Sequence, residues 1–142
     1  MDMNVSARII YTEAQVREMP VLALAHIGDG VYELLARMKA VREGSAQVNV
    51  LHKRTVLMVS AEAQAKAARL IRDTLSDSEF AVFRRGRNAK PNHAPPHKTA
   101  GDVYPMATAL EALFGYLYLL GQDERLSQLW DMCEKSFEEQ SK

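Results

Sequence analysis

A single cysteine, Cys133, leaves this chain of 142 residues no partner for an intrachain disulfide and no multi-cysteine zinc site. Glycine and proline are scarce, at 7 and 5 residues, which excludes collagen-like and low-complexity classes. No apolar run approaches the roughly 18 residues of a membrane span. The amino terminus, MDMNVSARIIYTEAQ, has no cationic start leading into a long apolar core, so no secretory leader is expected. These absences lead us to expect a soluble cytoplasmic protein with no membrane partner. What is present suits an ordinary globular domain: 47% hydrophobic and 25% charged residues, in a length that fits one domain over 1–142 better than two.

Charge is balanced in total and uneven in place. Lysine plus arginine and aspartate plus glutamate each number 18, yet no acid falls between Phe80 and Gly101. That stretch carries Arg84, Arg85, Arg87, Lys90 and Lys98, with His93 and His97. A neutral chain with such a local cationic block can still attract a polyanion there. His52, Lys53 and Arg54 form a smaller basic cluster. His93 and His97 share a four-residue spacing seen in metal sites, but without a third ligand in a proline-containing loop they are not read as a zinc site.

The apolar spacing is helical nearly throughout. Val21, Leu24, Ala25, Val31, Leu34, Leu35 and Met38 recur at threes and fours, predicting a helix over about 20–42 with Pro20 in its first turn and Gly44 as its stop. A second helical region spans about 48–75, with a break near Ser60, which can cap a new helix. Ser76 and Glu79 have the spacing of a capping box and open a helix over about 77–88. Residues 89–101, with Pro91, Pro95 and Pro96, read as a loop. A helix over about 104–120 follows, stopped by Gly121, and Asp123 is expected to cap a last helix carrying Leu126, Leu129, Trp130, Cys133 and Phe137 as core residues. The expected class is all-α, a compact bundle around one core.

Two acids have apolar neighbours. Asp29 sits within Leu-Ala-Leu-Ala-His-Ile-Gly-Asp-Gly-Val-Tyr, and Glu111 within Met-Ala-Thr-Ala-Leu-Glu-Ala-Leu-Phe-Gly-Tyr. A buried carboxylate is costly unless paired, protonated or metal-bound. Small residues flank both: Gly28 and Gly30, then Ala107, Ala109, Ala112 and Gly115. Helices crossing there would let the two acids converge on a hard cation such as magnesium, which prefers oxygen ligands and keeps several waters. Periodicity alone favours both acids at the solvent edge, with the glycines serving packing.

The run Ile27-Gly28-Asp29-Gly30-Val31, followed some eighty residues later by Glu111-Ala112-Leu113-Phe114-Gly115-Tyr116-Leu117-Tyr118-Leu119, resembles the catalytic domain of the ribonuclease III family. Together with Arg85-Gly-Arg-Asn-Ala-Lys, it looks most like the family's short bacterial branch, the Mini-ribonuclease III enzymes. The resemblance covers nearly the whole chain. It implies a magnesium-dependent endoribonuclease, with manganese as a substitute ion, that cuts double-stranded RNA to leave 5′-phosphate and 3′-hydroxyl ends. Asp29 and Glu111 match two of the four acids of the longer enzymes as catalytic and metal-holding residues; the other two positions fall on Ala25 and Thr108. The resemblance further implies a homodimer, with the Val21–Val31 helix face as interface. Its substrate would be the terminal stem of precursor large-subunit ribosomal RNA, with a ribosomal protein as a further partner. Only 21 residues follow Gly121, so no separate double-stranded RNA-binding domain is expected. Arg84, Arg85, Arg87, Lys90 and Lys98 are the expected RNA contacts, Asn88 and His97 coming after them. His26, three residues before Asp29, is read as structural. Ala25 and Thr108 keep open a second reading, a non-catalytic RNA-binding module on the same fold. A helical hydrolase of a small phosphorylated molecule is the third, disfavoured by so extended a cationic stretch.

Overall fold

The computed structural model describes residues 8–44, 46–90 and 101–140, and every regular element among them is helical. In chain order these are α1 (Glu13–Arg17), α2 (Val21–Arg42), α3 (Val48–Val59), α4 (Ala61–Ile71), a 3₁₀ turn (Arg72–Thr74), α5 (Asp77–Arg87), α6 (Val103–Leu119) and α7 (Asp123–Gln140). The all-α expectation holds, and the bundle is organised around α6.

The reason lies in the composition of α6. Glu111 is its one charged residue, and eleven of its positions, from Met106 to Leu119, are buried. A helix apolar on nearly all sides belongs inside, and α2, α4, α5 and α7 pack around it. Its end is a Schellman motif: Gly121, at φ +72°, lets the Gly121 and Gln122 amides donate to the Tyr118 and Leu117 carbonyls at 3.1 and 3.0 Å. Beneath α6 the Tyr32 ring meets Phe114, Trp130 and Phe137 at centroid distances of 5.4, 5.2 and 6.5 Å, and its hydroxyl donates to the Met58 carbonyl. Cys133 and Trp130 are core residues, as expected.

The local signals for helix starts mostly hold. Ser60 ends α3 and caps α4, its Oγ accepting the Ala63 amide at 3.2 Å. Ser76 and Glu79 form the capping box, with the Glu79 amide donating to Ser76 Oγ and the Ser76 amide to Glu79 Oε1. Arg125 of α7 also grips the Glu79 carboxylate through two nitrogens, at 2.9 and 3.0 Å. Burial alone would raise the Glu79 pKa, but these hydrogen bonds outweigh it and hold the group below the usual carboxylate range.

Three elements differ from the sequence reading. The short helix α1 was not anticipated; Thr12 and Gln15 cap it reciprocally. The region expected to run to Leu75 leaves the α-helix at Ile71, because Leu75 is extended to deliver Ser76 as the next cap. Asp123 does not cap α7: it is the first helical residue, and the Gln122 carbonyl accepts the Leu126 amide. Its carboxylate is taken by Arg8, 115 positions away, at 2.7 and 3.2 Å, with the guanidinium lying 4.0 Å over the Tyr118 ring.

Candidate metal centre

The site begins with two glycines. Helices carrying ordinary side chains stand about 8–10 Å apart. Gly28 of α2 and Gly115 of α6 remove that spacing, and the backbones touch. A Cβ built on Gly28 would overlap the Glu111 carbonyl oxygen and stand 2.6 Å from its carbon; one on Gly115 would stand 2.9 Å from the Leu24 carbonyl carbon. Leu24 facing Gly115 and Gly28 facing Glu111 means that the two helices run in opposite directions at the contact. Asp29 and Glu111 therefore leave adjacent backbones at the same level.

Their carboxyl groups meet. Asp29 is exposed and Glu111 half-buried. Burial first, then the hydrogen bond and negative charge of Asp29, push the Glu111 carboxyl up to about 8, while Gln64 of α4 favours its ionised form. Two like groups so placed suit a divalent cation, and the donors are hard oxygens without sulfur or imidazole, a chemistry that matches magnesium or manganese. Asp29 and Glu111 are the residues that could hold such an ion. No cluster of three or more histidine, cysteine, aspartate or glutamate residues exists among the described residues. Two protein ligands would leave the rest of such an ion's coordination to water and phosphate oxygens.

The raised Glu111 group makes stability depend on pH. The folded chain retains a proton that the unfolded chain releases in the ordinary glutamate range, so stability falls as pH rises from about 4.5 towards 8. Urea unfolding in a chelator across that interval should show this decline in the wild type, with the Glu111→Gln variant showing a shallower one. Equal slopes for the two would contradict it.

The two positions that depart from the four-acid pattern supply no carboxylate. Ala25 is buried in the core, and the Thr108 hydroxyl turns back to donate to the Tyr104 carbonyl at 3.0 Å. His26 is exposed on α2 and takes no part in the core, which corrects its reading as a structural residue. Composition offered no way to find Gln64; its buried place against Glu111 follows from the packing of α4 on α6.

The basic block lies beside this centre through a third glycine. A Cβ on Gly86 would stand 2.9 Å from Ala109 Cα and 3.1 Å from the Thr108 carbonyl, so the last turn of α5 runs alongside the turn of α6 that holds Glu111. Arg84, Arg85 and Lys90 are exposed and Arg87 is half-buried. Arg85 donates to the Met19 carbonyl at 3.2 Å, and Arg87 reaches Asn88 at 3.4 Å. Cations in a last helical turn also favour the helix dipole. Lys98, His93 and His97 lie outside the described residues.

One stripe of the exposed side of α2 is apolar. Ile27, Val31, Leu34 and Leu35 line a groove of about 500 Å³ with Tyr118, Leu126 and Trp130. The exposed ridge continues through Met38 and Val41, so the Val21–Val31 face is neither wholly core nor the whole of the ridge. No helix among the described residues is long and apolar enough to cross a membrane.

The ribonuclease III domain model matches residues 22–122. The chain is 40% identical over 132 residues to Mini-ribonuclease 3 of Clostridium tetani, covering 92% of this chain and 87% of that one. It is 43% identical over 130 residues to Mini-ribonuclease 3 of a Thermoanaerobacter species, covering 92% and 91%. A crystal structure of a protein from Fusobacterium nucleatum superposes with a TM-score of 0.75 at 28% identity, over 85% of this chain and 96% of that one.

Proposed function

This chain belongs to the ribonuclease III family, and from that membership we propose that Asp29 and Glu111 are the centre at which it hydrolyses the backbone of double-stranded RNA, with magnesium as the ion and manganese as a substitute. The observation carrying the reading is the glycine-mediated crossing of α2 and α6, which sets those two carboxyl groups against each other at the surface. When bound, the ion supplies Lewis acidity towards the phosphate and the attacking water. Asp29, the exposed member, would meet incoming phosphate, and Glu111 would hold the ion from the half-buried side. Arg84, Arg85, Arg87 and Lys90 neutralise the flanking phosphates, and Lys98 joins them on sequence grounds. Chemistry and grip then come from neighbouring turns of α2, α5 and α6.

Duplex RNA presents two backbones across a wide, shallow minor groove. One centre cuts one strand, so a two-fold homodimer through the exposed α2 ridge, with Ile27, Leu34, Met38 and Val41, would bring a second centre to the other strand. Covering that side would also explain why five large apolar side chains, Leu22 among them, lie open on one helix. The substrate we propose is the terminal stem of precursor large-subunit (23S) ribosomal RNA, shaped by a ribosomal protein, in the cytoplasm.

Purified chain incubated with a long RNA duplex or a single strand, with and without magnesium, tests the activity. Cutting confined to the duplex and to magnesium is the expected result; a salt-sensitive complex without cutting would favour the non-catalytic module that Ala25 and Thr108 suggest. Sedimentation of the same preparation should give twice the chain mass, and a cutting monomer would remove the two-fold reading. Replacing Arg84 and Arg87 together by alanine should weaken duplex binding and reduce the slope of log affinity against log salt by about 1 per residue. An unchanged slope would take α5 off the RNA face.

A further inference from the structure

Gln64 has no assigned part in the centre just described, yet its placement is costly to explain by packing. It is 3% exposed, a long polar side chain among the buried alanines Ala63, Ala65, Ala67 and Ala68. Burying an amide without partners costs about 1–3 kcal/mol, and a fifth alanine or a leucine would fill such a place at no polar cost. Local structure determines where this amide points. Ser60 is extended, at φ −60° and ψ 154°, and its cap on Ala63 sets where α4 begins and so which of its faces meets α6. The alanines on that face have no bulk to hold α4 away, so Gln64 is buried where α4 packs on α6, near enough to the Glu111 carboxyl to favour its ionised form.

Building on the metal-centre reading above, we infer that Gln64 is a positioning residue: its amide N–H holds one oxygen of Glu111 and leaves the other directed to the cation shared with Asp29. A centre with two protein carboxylates depends on the orientation of each more than one with four. Ala25 and Thr108 offer no substitute ligand if Glu111 turns away. Groups that orient a metal ligand through a hydrogen bond typically contribute about 10–100-fold to metal affinity.

Manganese binding to the full chain without RNA, followed by electron paramagnetic resonance, tests the inference apart from catalysis. Gln64→Met keeps the length and removes the amide; Gln64→Asn keeps the amide and withdraws it by one methylene. Both should raise the manganese Kd by about 10–100-fold. Duplex affinity in a chelator should not change. The melting temperature of Gln64→Met should equal or exceed that of the wild type, and cleavage by both variants should recover as the ion concentration is raised. Wild-type manganese affinity in the variants, with or without a lowered melting temperature, overturns the inference; if one variant does not fold, the other decides. A wild-type chain that binds no manganese removes the Asp29–Glu111 centre itself and this role with it. Manganese binding shared equally by wild type and variants removes only Gln64.

Discussion

Asp29→Asn is expected to reduce cleavage of duplex RNA by at least about 10³-fold, equivalent to roughly 4 kcal/mol of barrier, while folding and metal-free RNA binding persist. Asp29 lies exposed at the end of no packed side chain, and asparagine has its shape, so the core has nothing to lose. What disappears is one of two negative charges. That loss weakens the grip on a divalent ion, and it also relieves Glu111, whose carboxyl pKa is raised first by burial and then by Asp29. The variant should therefore melt no lower than the wild type in a chelator at pH 8, and its duplex affinity there should not fall. Removing a negative charge beside a polyanion works in its favour. The combination separates a chemical role from a structural one. Gel-resolved cleavage at matched magnesium is the measurement, and a variant that cuts at the wild-type rate would end the assignment of Asp29.

The second large effect belongs to a residue without a side chain. Gly28→Ala places a methyl group against the Glu111 carbonyl and the Gly115 amide, backbone atoms that cannot rotate away. Overpacking against movable side chains costs about 1–3 kcal/mol. Here α2 and α6, the helices that frame the core, must move apart, so a loss of about 4 kcal/mol or more is expected, lowering the melting temperature by about 10–20 °C. A domain of this size has only about 5–15 kcal/mol to lose. Whatever folds will have its two carboxyl groups displaced and should cut poorly. Gly30→Ala, two residues on, is the internal control. A Cβ there meets nothing within 4 Å, and alanine in a helix interior is favoured over glycine by about 1 kcal/mol. It should melt slightly higher than the wild type. Thermal unfolding of the two variants side by side checks the pair; a Gly28→Ala melting temperature within a few degrees of the wild type would show that the helices are not in backbone contact.

That contrast marks the boundary of what a sequence tells. Gly28 and Gly30 look alike in the chain, each beside Asp29 on one helix, and nothing in helical periodicity assigns one to a contact and the other to solvent. Ser60, Ser76 and Gly121 were legible because caps and stops are local: their hydrogen bonds close within a few residues. Asp123 satisfied the same local rule and was misread, because Arg8 competes for its carboxylate from the far end of the chain. The short helix α1 escaped because five residues carry too little periodicity to register.

From the sequence alone came the helical class, the two acids in apolar surroundings, the cationic block without a compensating acid, and the family these resemble. The class and the surroundings of the two acids are properties of residue order over a few turns, where propensity and spacing act directly, and the resemblance adds the order of motifs some eighty residues apart. Only the tertiary structure decided that Asp29 and Glu111 stand together, that Thr108 turns back on its own helix, that His26 faces outward, and that Gln64 lies buried behind Glu111. Those outcomes depend on how closely α2, α4 and α5 approach α6. That approach is set by contacts between residues far apart in sequence, whose energies no local pattern encodes.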